Sequence, residues 1–112
     1  MENAIKQRIM TQPEKSDYII DRWSKFFGVD KVKLKDRSGA RSPIWSKKRY
    51  LVLALHDNTA YNNQEIANMV GYRQRNNVTY HINTLREELS DKMYGQDNIK
   101  RTYDEFITYL NL

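Results

Sequence analysis

Apolar residues recur along this chain at helical rather than strand spacing. Ile19, Ile20, Trp23, Phe26 and Phe27 fall at i, i+1, i+4, i+7 and i+8, a single stripe that predicts a helix. Ser16 or Asp17 is its expected N-cap, and Gly28 the left-handed residue that ends it. Residues 1–15 mix polar side chains with Ile5, Ile9 and Met10 and meet Pro13, so they read as a short helix or a loose arm before a domain spanning 16–112. Asp30 can cap a short turn carrying Val32 and Leu34, and 36–41 reads as a loop. Ser42-Pro43 then pairs a capping residue with proline at the first helical position. The helix it starts is expected to reach about Leu55, basic in its first half and apolar all round over Tyr50–Leu55, which marks it as the central, buried helix.

Asp57–Ala60 breaks the pattern, and Asn62 or Asn63 restarts it, with Glu65 three residues after Asn62 in a capping-box-like spacing. Ile66, Ala67, Met69 and Val70 turn this short helix inward and Gly71 stops it. A longer helix follows, beginning near Arg75-Asn76-Asn77, with Val78, Ile82, Leu85 and Leu89 as its buried stripe. A last helix from about Asp97 carries Ile99, Tyr103, Phe106, Ile107 and Leu110 on one face. No segment alternates as a strand does. The expected fold is all-α, with five to six helices around a central one.

Composition narrows the class. A chain of 112 residues, 39% hydrophobic, has room for one domain with a modest core. The absence of cysteine removes disulfides and thiolate metal sites, and no apolar run approaches membrane-spanning length. The expectation is a soluble cytoplasmic protein without a membrane partner. The net charge of +5 is a weak hint alone, but its placement is informative. Residues 31–50 hold Lys31, Lys33, Lys35, Arg37, Arg41, Lys47, Lys48 and Arg49 against the single Asp36. Between Glu65 and Glu87 there is no acid, while Arg73, Arg75 and Arg86 lie inside that gap. Two stretches cleared of negative charge suit a surface that faces phosphates.

The pair of helices around Gly71 has helix-turn-helix spacing. A small residue, Ala67, admits the second helix; a glycine four residues later makes the turn; and the β-branched Val78 packs the second helix back. The step from Gly71 to Val78 is seven residues, one longer than the common form. The second helix is expected to present its first turn to base edges. Arg73, Gln74, Arg75, Asn76 and Asn77 are of the types that pair with guanine or adenine in the major groove, and Thr79, Tyr80 and Asn83 lie on or near the same face. Lys35, Arg37 and Arg41 of the basic loop, with Lys47, Lys48 and Arg49 at the start of the central helix, are the candidates for phosphate or minor-groove contact. Replacing Asn76 or Asn77 is expected to relax sequence preference, and replacing Lys48 to weaken all sequences alike.

These features together resemble the C-terminal DNA-binding domain of the bacterial replication initiator DnaA, of the Trp-repressor-like helical group. The run Ile20-Asp-Arg-Trp-Ser-Lys-Phe-Phe-Gly-Val-Asp30 is similar to that domain's first helix, Lys35–Arg41 to its basic loop and Lys47–Leu55 to its central helix. Asn63-Gln-Glu-Ile-Ala-Asn-Met-Val-Gly-Tyr-Arg73 is similar to its first motif helix and longer turn. The resemblance covers roughly 18–110 and implies sequence-specific binding of double-stranded DNA, in control of replication or transcription. It departs where the family reads its box. The family's Gly-Arg-Asp-His-(Ser/Thr)-Thr-Val is replaced by Tyr72-Arg73-Gln74-Arg75-Asn76-Asn77-Val78, which keeps the arginine and the valine and loses the rest. The expected target therefore differs from the standard DnaA box. No Gly-x-x-x-x-Gly-Lys-Ser/Thr run is present, so the expectation is a free-standing reader without the initiator's ATPase module.

Catalysis finds no support. His56 and His81 stand far apart without an orienting carboxylate at helical spacing; the first suits the end of the central helix and the second a packing role. No enzyme, cofactor, metal or small-molecule substrate is expected. The competing reading is a module that binds a replication or transcription protein, for which eight tyrosines and two tryptophans are suited. RNA fits less well, because its deep narrow groove does not admit a helix.

Overall fold

The computed structural model describes residues 10–35, 43–90 and 96–112. These form α1 (Gln12–Phe27), a 3-10 turn (Lys31–Lys35), α2 (Pro43–Asn58), α3 (Asn63–Val70), α4 (Arg75–Ser90) and α5 (Gln96–Leu110), with no strand among the described residues. The all-α expectation holds, and the central helix is the one the apolar run marks. Leu51 to Leu55 of α2 are buried on every side, and α2 packs against each of the other four helices. A helix that touches neighbours all round needs no polar face over that stretch, which is why its sequence lacks one.

Two helix ends differ from the sequence reading. α1 begins one turn before Ser16, at a capping box: the Thr11 hydroxyl accepts from the Glu14 amide at 3.2 Å, and the Glu14 carboxylate accepts from the Thr11 amide at 3.3 Å. Pro13 is tolerated there because amides of the first turn have no intrahelical partner. Ser16 is buried inside the helix, its hydroxyl donating to the Pro13 carbonyl at 2.9 Å. At the other end of the core, α2 runs to Asn58 rather than Leu55. The Asn58 amide donates to the Ala54 carbonyl at 2.8 Å and the Thr59 hydroxyl to the Leu55 carbonyl at 2.6 Å. Side chains read as breakers thus satisfy carbonyls of the last turn.

α1 and α5 close the far side of α2. Phe27 stacks on Tyr50 at 5.3 Å and meets Phe106 at 5.4 Å, while Phe26 meets Phe106 and Tyr109, each at 5.5 Å. Trp23 is fully buried, and its indole donates to the Lys47 carbonyl at 2.9 Å, which ties α1 to the first half of α2. The expected α5 stripe is present, with Phe106 and Leu110 buried and Ile99, Tyr103 and Ile107 packed beside them. No described helix is long and apolar enough to cross a membrane.

Candidate nucleic-acid interface

α3 and α4 form the closest helix pair on the near side of α2, and the chain between them is built for that closeness. Asn62 caps α3 reciprocally with Glu65, at 2.8 and 2.9 Å. Gly71 ends it at φ 84°, and the Tyr72 amide donates back to the Ala67 carbonyl at 2.8 Å. Ala67 is fully buried, as is Val78 on the first turns of α4. The two small or β-branched side chains let the helices meet. A carbon added to Gly71 would lie 1.8 Å from the Leu34 carbonyl oxygen, so the 3-10 turn presses directly on this turn.

The head of α4 is polar and open. Arg73, Gln74, Arg75, Asn76, Thr79 and Tyr80 are exposed, Tyr80 to 58%, whereas Asn77 is half-buried with its amide donating to the Gln74 carbonyl at 3.3 Å. The Thr79 hydroxyl accepts from Asn63 at 3.0 Å and donates to the Arg75 carbonyl at 3.2 Å, which joins the start of α3 to the start of α4. Gln64 donates to the Arg73 carbonyl at 3.4 Å. A groove between the two helix starts is lined by His56, Tyr61, Asn63, Gln64, Arg75 and Thr79. Of these, the exposed Gln64 and the half-buried Asn63 add to the residues expected from sequence; their place just after the cap at Asn62 was the available signal. Arg86, the third cation of the acid-free gap, is held by Asp57 at 2.7 Å.

The basic candidates divide. Lys35 is exposed and donates to the Asn68 carbonyl at 2.6 Å, and it borders one shallow depression with Asn68, Gly71, Tyr72 and Arg73. The structure thus brings Lys35 and Arg73 to one face. Lys33 is exposed on the same 3-10 turn and was not singled out from sequence. Lys31 is drawn to Asp21 at 3.3 Å; Lys25 and Lys31 together hold that carboxyl below its usual range. Arg37 and Arg41 lie outside the described residues. Lys47 is half-buried, and Arg49 is engaged by Glu88 at 2.6 Å and lies over the Tyr50 ring.

Lys48 requires a correction. It is only 3% exposed, its ammonium donating to the Leu34 carbonyl at 3.0 Å and lying 4.8 Å from the centre of the Tyr72 ring. A charge so enclosed cannot reach a phosphate, so the expectation that it neutralises the DNA backbone does not stand. The helical step of about 100° per residue leaves Lys47 half-buried and turns Lys48 inward, beside the buried Tyr72 and His81. Tyr72 and His81 share a hydrogen bond of 2.7 Å, and the Trp45 ring packs on both. Burial, then the Arg49 and Lys48 charges, push His81 down to about 4 and keep it neutral, and burial raises the Tyr72 phenol above its usual range. The packing role read for His81 is seen, with the polar partner that a buried imidazole requires.

Among the described residues no group of three His, Cys, Asp or Glu is placed to hold a metal. No protein-family model, curated protein or solved structure matches this chain.

Proposed function

We propose that this protein binds double-stranded DNA in a sequence-selective way, with α3 and α4 acting as a helix-turn-helix and the head of α4 entering the major groove. The observation that carries the reading is an open polar stretch, Arg73, Gln74, Arg75, Asn76, Thr79 and Tyr80, with Lys35 bordering one depression beside Arg73 across the turn at Gly71. Arginine, glutamine and asparagine side chains there match the hydrogen-bonding edges of guanine and adenine, and Lys33 and Lys35 lie where a phosphate backbone would pass. Asn63 and Gln64 at the exposed start of α3 suit backbone contact from the first helix of the pair. The likeness to the DnaA DNA-binding domain rests on the order of helices and the one-residue-longer turn. On that reading the protein acts in replication or transcription at a site other than the DnaA box.

Selection from random duplex DNA tests this. A defined consensus is expected, different from the DnaA box, and Asn76→Ala is expected to relax one or two positions of it at about 1–3 kcal/mol. Enrichment of no sequence would overturn selective binding, and recovery of the DnaA box would overturn the altered preference. A protein-binding reading is favoured by one feature only, the exposure of Tyr80 and Val32, which offer apolar contact.

A further inference from the structure

The enclosed Lys48 joins three parts of the molecule that are remote in sequence. Its ammonium bonds the Leu34 carbonyl of the 3-10 turn, lies over Tyr72 of the turn between α3 and α4, and through Tyr72 reaches His81 on α4. The Leu34 carbonyl is the same group that fills the space a side chain at Gly71 would need. Lys35, the next residue, donates to the Asn68 carbonyl of α3. The 3-10 turn is therefore fastened at two consecutive residues, Leu34 to Lys48 of α2 and Lys35 to α3, and Lys48 supplies the buried bond. Apolar packing between these parts is thin, because Leu34 is the one buried residue of the turn and Val32 points outward at 75% exposure.

We propose that Lys48 is a positioning residue, a pin that fixes the lysine-bearing 3-10 turn relative to α4 so that both meet one DNA site at a set spacing. A buried cation is a costly way to fill space, and losing it would remove its bond to the Leu34 carbonyl and loosen the turn. A methionine at this position would keep the volume and remove the bond. The second half of the proposal rests on the DNA-binding reading; the first half, the fixed geometry, does not.

The experiment separates them. The chain has no cysteine, so Lys33→Cys and Asn83→Cys, both at exposed positions, accept spin labels cleanly. The label-to-label distance distribution is expected to be narrow in the parent, broad in Lys48→Met and narrow again in Lys48→Arg, whose guanidinium can still reach the carbonyl. Lys48→Leu carries the same readout should the methionine variant fail to fold by circular dichroism. A distribution equally narrow in the methionine or leucine variant overturns the pin. On DNA, the ratio of selected to scrambled duplex affinity is expected to fall roughly tenfold in Lys48→Met while the salt slope is unchanged. A slope reduced by about one, with both duplexes weakened alike, would mean that Lys48 is a phosphate contact after all and overturn the proposal. Broadening in a protein that binds no duplex would uphold the pin and defeat the DNA-binding reading alone.

Discussion

Single positions show how tightly the turn region is built. Gly28 and Gly71 both end helices in the left-handed region, at φ 67° and 84°, yet their surroundings differ. Around Gly28 an added carbon meets nothing, whereas at Gly71 it overlaps the Leu34 carbonyl oxygen. Gly28→Ala is expected to cost only the left-handed penalty, about 1–2 kcal/mol, and Gly71→Ala about 3 kcal/mol or more because backbone must move. Urea unfolding of the two variants measures the difference; equal losses would contradict the close approach. His81 adds a pH dependence. Its folded value of about 4 lies below the 6.5 of the free side chain, so the unfolded chain binds a proton that the folded one refuses. Stability from this group is complete above the upper value and is lost as pH falls through the window toward the lower one. Between about pH 7 and about pH 5 the loss is expected to be about 2 kcal/mol, and smaller in His81→Gln, which cannot take up the proton. An unchanged urea midpoint over that range would show that His81 is not held neutral.

At the scale of elements, the helices were legible where periodicity and caps agree. The Asn62–Glu65 box, Pro43 at the start of α2 and the Val78–Ile82–Leu85 stripe of α4 all appear where the pattern places them. The start of α1 was equally written, in Thr11 and Glu14, but Ser16 and Asp17 offered a rival cap closer to the apolar stripe, and Pro13 lies in the one turn that accepts proline. The end of α2 was less legible. Asn58 and Thr59 are turn formers by type, and only the fold shows them bonding back to Ala54 and Leu55. For the candidate site, sequence spacing located the exposed head of α4 because its polar residues are contiguous. It misplaced Lys48, since a lysine in a basic run gives no sign of being buried. That burial depends on Leu34 and Tyr72, which meet it only through tertiary packing.

For the whole molecule, the arrangement separates an aromatic cluster from a polar, cation-bearing surface. The aromatic cluster of α1, α2 and α5 holds the core, while the 3-10 turn and the α3–α4 pair present lysine, arginine and amide side chains on the opposite side of α2. The charge excess of the chain is concentrated in 31–50, and part of it is spent internally, on Asp21, Glu88 and the Leu34 carbonyl. Lys33, Lys35, Arg73 and Arg75 stay exposed, Lys35 while donating to the Asn68 carbonyl, and Lys47 is half-buried. On the proposed reading this surface would bind a polyanion by releasing counterions, so its affinity would respond to salt. The most direct test is the affinity for a selected duplex measured across a series of salt concentrations. A linear fall of log affinity with log salt is expected, with a slope of roughly −3 to −5 for a few neutralised phosphates. A flat dependence, or no measurable binding at low salt, would contradict it.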